Sequence, residues 1–159
     1  MSKKSTKDIL QAPRGMRDFF GKEFTKQKKF FEVAKNIAES YGFSGIETPI
    51  LEHTPIFHKG VGEGTDIVDK EMYNLETAGG DQLTLRPEGT AAIMRSYIEN
   101  GMGSLPGPQM LYYYGPFFRH EKPQKGRYRQ FNQFGIEYFG FSDTNSDLEL
   151  IILGGHVFD

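Results

Sequence analysis

The stretch Met110–Phe139, MLYYYGPFFRHEKPQKGRYRQFNQFGIEYF, contains two apolar runs separated by a basic segment. The first run, Met110 to Phe118, is almost wholly aromatic or apolar, and the second, Gln130 to Phe139, alternates polar and apolar residues with the period of a strand. The segment between them, His120 to Tyr128, carries three lysine or arginine residues against one acid. We therefore predict an antiparallel hairpin whose basic loop binds a polyanion.

Period-two alternation divides the second strand into two faces, because side chains at i, i+2 and i+4 lie on the same side of a sheet. One face is apolar and suits a core: Phe134, Ile136 and Tyr138. The other holds Phe131, Gln133 and Glu137, with Gly135 leaving a gap, which predicts a recess. An amphipathic strand with a solvated face would show the same alternation. The basic loop and the aromatic strand beside it favour the recess.

Two segments of the hairpin, Phe118–Glu121 (FRHE) and Gly126–Phe131 (GRYRQF), carry a family resemblance together with Gln133 and Glu137. They resemble motif 2 of class II aminoacyl-tRNA synthetases, in the form found in histidyl-tRNA synthetases. The resemblance implies an ATP-binding site. In it Arg119 would be catalytic, holding the α-phosphate and contacting histidine, Arg127 would bind the outer phosphates, and Glu121 and Phe131 would bind adenine.

The segment Leu85–Thr90, LRPEGT, joins a predicted strand, Gln82–Arg86, to a predicted helix, Thr90–Glu99. Helix capping alone could explain Glu88 and Thr90, at about 0.5–1 kcal/mol. The segment is also similar to the amino-acid-binding signature of the histidyl family, which favours a functional role. The resemblance implies that Glu88, Thr90 and Gln133 bind the α-amino end of histidine, and that Glu137 recognises its imidazole N–H groups.

Composition indicates one globular domain, since 37% of the 159 residues are hydrophobic and 14% aromatic. The net charge is −2, so attraction to nucleotide or RNA must come from local patches such as the hairpin loop. There is no cysteine and therefore no disulfide. The sequence shows neither a secretory signal nor an apolar run long enough to span a membrane. We predict a cytoplasmic protein with no membrane partner.

The N-terminal half predicts a mobile tail over residues 1–11 and then turns over Ala12–Asp18. A helix is expected over Glu23–Tyr41, ended by Gly42, and an edge strand over Ile46–Leu51. In the family that the chain resembles, this helix and strand form motif 1, the dimer interface. Four phenylalanines, more than a lone helix on a small sheet needs, agree with a homodimer: Phe24, Phe30, Phe31 and Phe43.

The remaining segments predict a short helix followed by a loop over Thr54–Gly64, and a strand entered from Asp66–Leu75. A helix is expected to begin at the capping-box pattern Ser146–Glu149, with Leu148, Ile151 and Ile152 on one face. The fold class is α+β, an antiparallel β-sheet flanked by helices, and the resemblance implies a partial class II catalytic core over residues 12–159.

No metal-binding cluster is predicted from the acids between residues 63 and 76, because their spacing matches no ligand loop. The residues are Glu63, Asp66, Asp69, Glu71 and Glu76. The four histidines show none of the paired spacings of zinc motifs. Magnesium is implied only by the resemblance, as the companion of ATP.

The resemblance implies the reaction of a histidine–tRNA ligase: ATP-dependent activation of histidine to histidyl adenylate and transfer to tRNA(His). No counterpart of the family's motif 3 or anticodon-binding domain follows residue 159, so we expect an incomplete fragment that is inactive alone. A non-catalytic paralogue is an alternative, either the regulatory subunit of ATP phosphoribosyltransferase or a histidine- or tRNA-sensing domain. Its weakness is that the nucleotide-binding residues are all retained. A simple RNA-binding module is the other alternative.

Overall fold

The computed structural model describes residues 10–61, 71–122, 124–141 and 144–158. Most of the predicted tail and the loop after the second helix therefore lie outside the described residues. The elements are, in chain order, α1 (Gly21–Ser40), β1 (Ser44–Gly45), β2 (Leu51–His53), α2 (Thr54–Val61), β3 (Tyr73–Glu76), β4 (Gln82–Leu85), α3 (Thr90–Glu99), a 3₁₀ turn (Met102–Ser104), β5 (Gln109–Phe118), β6 (Gln130–Phe139) and α4 (Thr144–Phe158).

The strands form two three-stranded sheets, β1–β5–β6 and β2–β4–β3. The predicted hairpin is confirmed, since β5 and β6 pair antiparallel from Gln109 opposite Phe139 to Phe118 opposite Gln130. Strand β1 joins the edge of β5 in the parallel direction, and the other pairs are antiparallel. This arrangement agrees with the predicted α+β class, although the division into two sheets was not predicted.

The prediction of one strand over Ile46–Leu51 was wrong, because Leu51 begins β2 and the segment Ile46–Ile50 crosses between the two sheets. Its first residue donates its N–H to Tyr112 of β5, and Ile50 accepts from the N–H of Arg86 next to β4, each at 2.9 Å. Pro49 between them has no N–H to give to a ladder. The chain therefore forms one short strand on each side, β1 and β2, rather than one longer strand.

Both faces of the hairpin are covered, with the side chains sorted as period two predicts. On one face α1 and α4 contribute Ala38 and Leu153 to a core with Tyr112, against which Phe134 and Ile136 pack. Tyr138 lies on this face too, with its ring centroid 5.9 Å from that of Phe43. On the other face α3 contributes Ile93 to a core with Leu111, Tyr113 and Phe117, against which Phe131 packs. The predicted assignment of β6 side chains to two faces is confirmed.

Helix α4 differs from its prediction in both start and orientation. It begins at Thr144, so Ser146 lies inside the helix and the predicted capping box was wrong. The residues that pack on the core recur at i, i+3 and i+7: Leu150, Leu153 and Val157. The predicted apolar face is instead exposed: Leu148, Ile151 and Ile152. Phe43, expected to add to an aromatic surface, is also in the core, at 3% exposure.

Arg86 connects the two sheets through both its backbone and its side chain. Its N–H donates to Ile50 and its carbonyl accepts from Phe118 at the end of β5. Its Nε donates to the carbonyl of Pro116 at 3.0 Å, and its Nη1 donates to the carbonyl of Thr48 at 2.8 Å. The residue is 5% exposed, and its burial lowers the pKa of the guanidinium. Arg86 therefore joins the end of β4 to two other segments of the chain, residues 48–50 and the end of β5.

Replacing Arg86 with methionine should destabilise the protein strongly, because buried carbonyl oxygens would lose their donors. We expect Arg86→Met to lower the free energy of unfolding by about 2–4 kcal/mol. Urea denaturation monitored by circular dichroism measures the change. Arg127→Met, in the solvent-facing loop, is the control and should stay within about 0.5 kcal/mol of the parent. Equal, small losses in both variants would contradict this role for Arg86.

Candidate active site

The predicted recess lies on the α3 side of the hairpin, where two walls meet. One wall is the turn before α3, and the other is strand β6. A side-chain hydrogen bond joins the walls, since the Thr90 hydroxyl donates to Oε1 of Glu137 at 2.6 Å across 47 positions of sequence. Strand β4 ends at Leu85, and Pro87, which has no N–H to give to a sheet, lies in the turn before α3. The structure thus brings together residues that the sequence places in separate motifs.

Glu88 caps helix α3 with its side chain. Its two carboxylate oxygens accept the backbone N–H groups of Thr90 at 2.6 Å and Ala91 at 3.0 Å. The expectation that Glu88 caps this helix is therefore confirmed. A carboxylate offers about four acceptor positions, so two remain for a ligand ammonium group. Capping and amino-acid binding are compatible at this residue.

Glu137 is a half-buried carboxylate facing a second carboxylate. Desolvation by burial raises its pKa above the ordinary value, the hydroxyl of Thr90 opposes that rise, and the negative charge of Glu88 adds to it. The ionised form is thus incompletely compensated by the protein. A ligand that brings N–H donors or a positive charge would supply the missing partner.

Tyr113 is a residue of this site that the sequence analysis missed. It lies opposite Gly135 in the hairpin register, and its Oη accepts a hydrogen bond from Nε2 of Gln133 at 3.0 Å. Burial, together with the charges of Glu137 and Glu88, raises the pKa of Tyr113 to about 12. The gap predicted over Gly135 is therefore filled by this ring. A large aromatic residue opposite a glycine in the predicted register was the available signal.

A second cavity, of about 650 Å³, opens at the base of the hairpin loop. Four residues predicted to bind ATP line it: Arg119, Glu121, Arg127 and Phe131. Arg119 donates from Nε to the carbonyl of Pro87 at 2.8 Å, and its guanidinium carbon lies 5.2 Å from the centroid of the Phe131 ring. Nη1 of Arg127 lies 3.3 Å from Oε2 of Glu121. The two predicted sets of site residues therefore form adjacent sites, joined through Pro87.

The ion pair between Arg127 and Glu121 has one exposed and one mostly buried partner. The Arg127 side chain is 65% exposed, whereas that of Glu121 is 16% exposed. An exposed ion pair contributes little, roughly 0–1 kcal/mol. Arg127 can therefore exchange the carboxylate of Glu121 for a more highly charged anion at a small cost in free energy. The same exchange leaves Glu121 available to accept hydrogen bonds from a ligand.

The N-terminal segment contacts the base of the hairpin loop, where the loop leads into β6. The carbonyl of Gly15 accepts the N–H of Arg129 at 2.7 Å, and Nε of Arg129 donates to the carbonyl of Glu121 at 3.1 Å. The Arg17 guanidinium carbon lies 4.5 Å and 4.6 Å from the ring centroids of Phe19 and Tyr128. The N-terminal segment is thus attached to the base of the loop.

Within the described ranges, no group of three histidine or acidic side chains is placed to hold a metal ion. Glu63, Asp66 and Asp69 lie outside those ranges. Glu71 lines the loop cavity together with Glu121. In the same part of the chain, no helix is both long and apolar enough to cross a membrane.

The comparison with protein families decides the affiliation of the chain. The family model for histidyl-tRNA synthetase matches residues 15–158. The chain belongs to the histidyl-tRNA synthetase family. This agrees with the resemblance seen in the hairpin and in the LRPEGT segment.

Two curated relatives are similar over most of the chain. The histidine–tRNA ligase of Desulforudis audaxviator is 46% identical over 151 residues, which cover 95% of this chain and 36% of the relative. That of Hydrogenovibrio crunogenus is 49% identical over 150 residues, covering 94% and 35%. The chain therefore spans about a third of the length of these relatives.

Two solved structures share the fold. The apo histidyl-tRNA synthetase of S. aureus has a TM-score of 0.79 and 36% identity, covering 94% of this chain and 34% of that one. A Bacillus halodurans C protein described as an ATP phosphoribosyltransferase regulatory subunit/histidyl-tRNA synthetase has a TM-score of 0.79 and 28% identity, covering 94% and 37%. These matches confirm the predicted fold of a synthetase catalytic domain.

The raised pKa of Glu137 predicts a stability that depends on pH. Because folding raises this pKa above 4.5, the ionised carboxylate opposes folding, and stability falls as pH rises through the folded pKa. Glu137→Gln removes the charge but keeps an oxygen that can accept from Thr90. We expect its thermal midpoint near neutral pH to exceed the parent's by about 1–3 °C.

Differential scanning calorimetry from about pH 4 to pH 8 measures this difference. The gain should shrink as pH falls, because the parent's Glu137 then becomes protonated as well. A difference that stays constant across the range, or a loss near neutral pH, would show that Glu137 does not oppose folding.

Proposed function

We propose that this chain forms the histidine- and ATP-binding part of a class II histidine–tRNA ligase. The contact between Thr90 and Glu137 carries the proposal, because it joins the two predicted halves of the amino-acid site into one recess. The recess adjoins the loop cavity, as the reaction of an amino acid with a nucleotide requires. Membership of the histidyl-tRNA synthetase family supports the choice of substrate.

Histidine would bind to the polar side chains that the two walls present. Its ammonium group would donate hydrogen bonds to the carboxylate of Glu88, the hydroxyl oxygen of Thr90 and the amide oxygen of Gln133. Its imidazole N–H would donate a hydrogen bond to Glu137. The burial that raises the pKa of this carboxylate favours a ligand that brings such a donor. An apolar competitor would leave this carboxylate unpaired, which costs about 1–3 kcal/mol or more. Selectivity would follow from the missing hydrogen bond.

ATP would occupy the loop cavity, with adenine against Phe131 and Glu121 and the outer phosphates at Arg127. The carboxylate of histidine would attack the α-phosphorus in line: a carboxyl O–P bond forms, the bond to the β-phosphate breaks, and pyrophosphate leaves. Arg119 would stabilise the charge on the α-phosphate, its planar fork meeting two oxygens. Transfer of the histidyl group to tRNA(His) would complete the reaction.

Magnesium would enter bound to the phosphate oxygens of ATP, its usual ligands in such sites. Two carboxylates, those of Glu71 and Glu121, line the cavity and could take part in its coordination. In the described part of the chain no third such group joins them. The residues therefore fit an ion that arrives with the nucleotide rather than one held by the protein alone.

The ligase is favoured over both alternatives. Identities of 46% and 49% to curated ligases support it over the regulatory subunit of ATP phosphoribosyltransferase, whose name appears on a match with 28% identity. A sensing domain would not need the complete set of nucleotide contacts at the loop. An RNA-binding module would leave the histidine recess and its paired carboxylates unexplained.

Replacing Glu137 with alanine should impair histidine binding and spare ATP binding. A charge-assisted hydrogen bond contributes about 1.5–3 kcal/mol, so the Kd for histidine should rise roughly 10- to 100-fold. Isothermal titration calorimetry with histidine and with ATP measures both constants. Glu39→Ala is the matched control, because Glu39 accepts the Tyr112 hydroxyl on the opposite face of the hairpin. Equal losses for both ligands would contradict imidazole recognition by Glu137.

A homodimer through motif 1 is part of the proposal. Helix α1 presents Phe24 and Phe30 to solvent, at 46% and 40% exposure. Phe31 is half-buried and stacks on Tyr114, with the ring centroids 5.2 Å apart. The exposed pair provides apolar surface of the kind that interfaces bury.

Light scattering at micromolar concentration should report a dimer that Phe24→Glu converts to a monomer, because the change places a charge in the apolar contact. Ile98→Glu is the control: Ile98 is 70% exposed on α3, away from motif 1, and its change should preserve the dimer. A parent protein that is monomeric under these conditions, or equal disruption by both variants, would refute the proposed interface.

The proposed role in protein synthesis places the protein in the cytoplasm. That the 159 residues do not activate histidine by themselves stays a prediction, which histidine-dependent pyrophosphate exchange on the chain would test.

A further inference from the structure

The ring of Tyr113 lies between two glycines that come from different parts of the chain. A Cβ atom at Gly89 would lie 2.3 Å from Cζ of this ring, and one at Gly135 would lie 2.4 Å from the same atom. Contacts this short do not occur in folded proteins. Alanine could therefore not replace either glycine while the ring keeps its position.

Neither glycine is required by its backbone conformation. Gly89 has φ of −97°, and Gly135 is absent from the glycines with positive φ, so both have dihedrals open to other residues. In a strand, glycine is normally unfavourable relative to alanine. The space that the Tyr113 ring occupies is thus the physical reason for glycine at both positions.

Each glycine lies in the middle of one wall of the recess. Gly89 lies between Glu88 and Thr90, and Gly135 lies between Gln133 and Glu137. The ring therefore keeps the turn before α3 and strand β6 one aromatic side chain apart. Phe117 packs beside it, with the ring centroids 5.8 Å apart, and Tyr113 itself is only 8% exposed.

We propose that Tyr113 is a positioning residue that sets the separation between the two walls of the histidine recess and fixes the orientation of the Gln133 amide. The inference rests on the proposed function for its biological meaning, but the spacing itself is a property of the ligand-free protein. Because Nε2 of Gln133 donates to Oη of Tyr113, the amide oxygen is the atom left to accept from a ligand ammonium group. Tyr113 would therefore act on histidine through Gln133, Glu88, Thr90 and Glu137.

A double-mutant cycle tests the spacing without any ligand. Gly135→Ala should lower the thermal midpoint by about 4–10 °C in the parent, since its methyl group overlaps the ring. In a Tyr113→Val background the same change should be neutral or stabilising, because the ring is gone. Gly89→Ala offers an independent cycle if one variant fails to fold. Gly154→Ala, where a Cβ would meet no atom within 4 Å, is the control.

Equal effects of Gly135→Ala in both backgrounds would overturn the spacing role, as would a harmless Gly135→Ala in the parent. The prediction is specific because ordinary loss of packing would add between the two sites instead of cancelling.

Histidine binding tests the second half of the proposal. Tyr113→Phe keeps the ring and removes Oη, so the Kd for histidine should rise about 5- to 10-fold while the Kd for ATP stays unchanged. Tyr112→Phe is the matched control, since it removes a neighbouring phenol that donates to Glu39 on the opposite face. Calorimetric titrations of the three proteins with histidine and ATP measure the split.

The outcomes separate this inference from the proposed function. Unchanged histidine binding in Tyr113→Phe, or an equal loss for histidine and ATP, would overturn the role of Oη. Absence of histidine binding in the parent would count against the proposed function of the chain, and the double-mutant cycle would then still decide whether Tyr113 sets the spacing.

Discussion

The buried guanidinium of Arg86 holds the two sheets together, and the placement of both sites depends on it. The side chain lies just after β4 of one sheet and donates to carbonyls of the crossing segment and of β5 in the other sheet. The carbonyl of the next residue, Pro87, accepts a hydrogen bond from Nε of Arg119, and Glu88 follows Pro87 in the sequence. A shift of Arg86 would therefore move the recess and the loop cavity relative to each other, which the proposed in-line attack could not tolerate.

The proposed binding groups of the recess are also groups that oppose folding. Glu137 and Glu88 are carboxylates on the two walls, and the raised pKa of Glu137 indicates that the protein does not fully compensate the charge of Glu137. A ligand with one ammonium group and an imidazole N–H would complete both. Tyr113 keeps the facing walls apart, and its own elevated pKa, to about 12, leaves the phenol neutral beside them. Such incompletely satisfied groups are typical of functional sites.

Sequence patterns predicted the features of the fold that depend on local periodicity. The two faces of β6 and the bounds of α3 followed from the spacing of apolar residues, and the residues proposed for the two sites came from the family resemblance. Contacts between distant segments were not predictable in this way. The crossing over Ile46–Ile50 depends on bonds to Tyr112 and Arg86, and the orientation of α4 depends on which of its two apolar stripes meets Ala38 and Phe43. Tyr113 was missed because an aromatic strand residue is ordinarily a core residue, and the second role proposed for it rests on the two glycines beside its ring.

The most direct test of the account is a nuclear magnetic resonance titration of the ¹⁵N-labelled chain, first with histidine and then with ATP. Histidine should shift the backbone amides of residues 88–91 and 133–137 and the side-chain amide of Gln133, whereas ATP should shift residues 119–132 around the loop cavity. Shifts by both ligands at the same residues, or histidine shifts confined to other surfaces of the protein, would contradict the assignment of two adjacent sites.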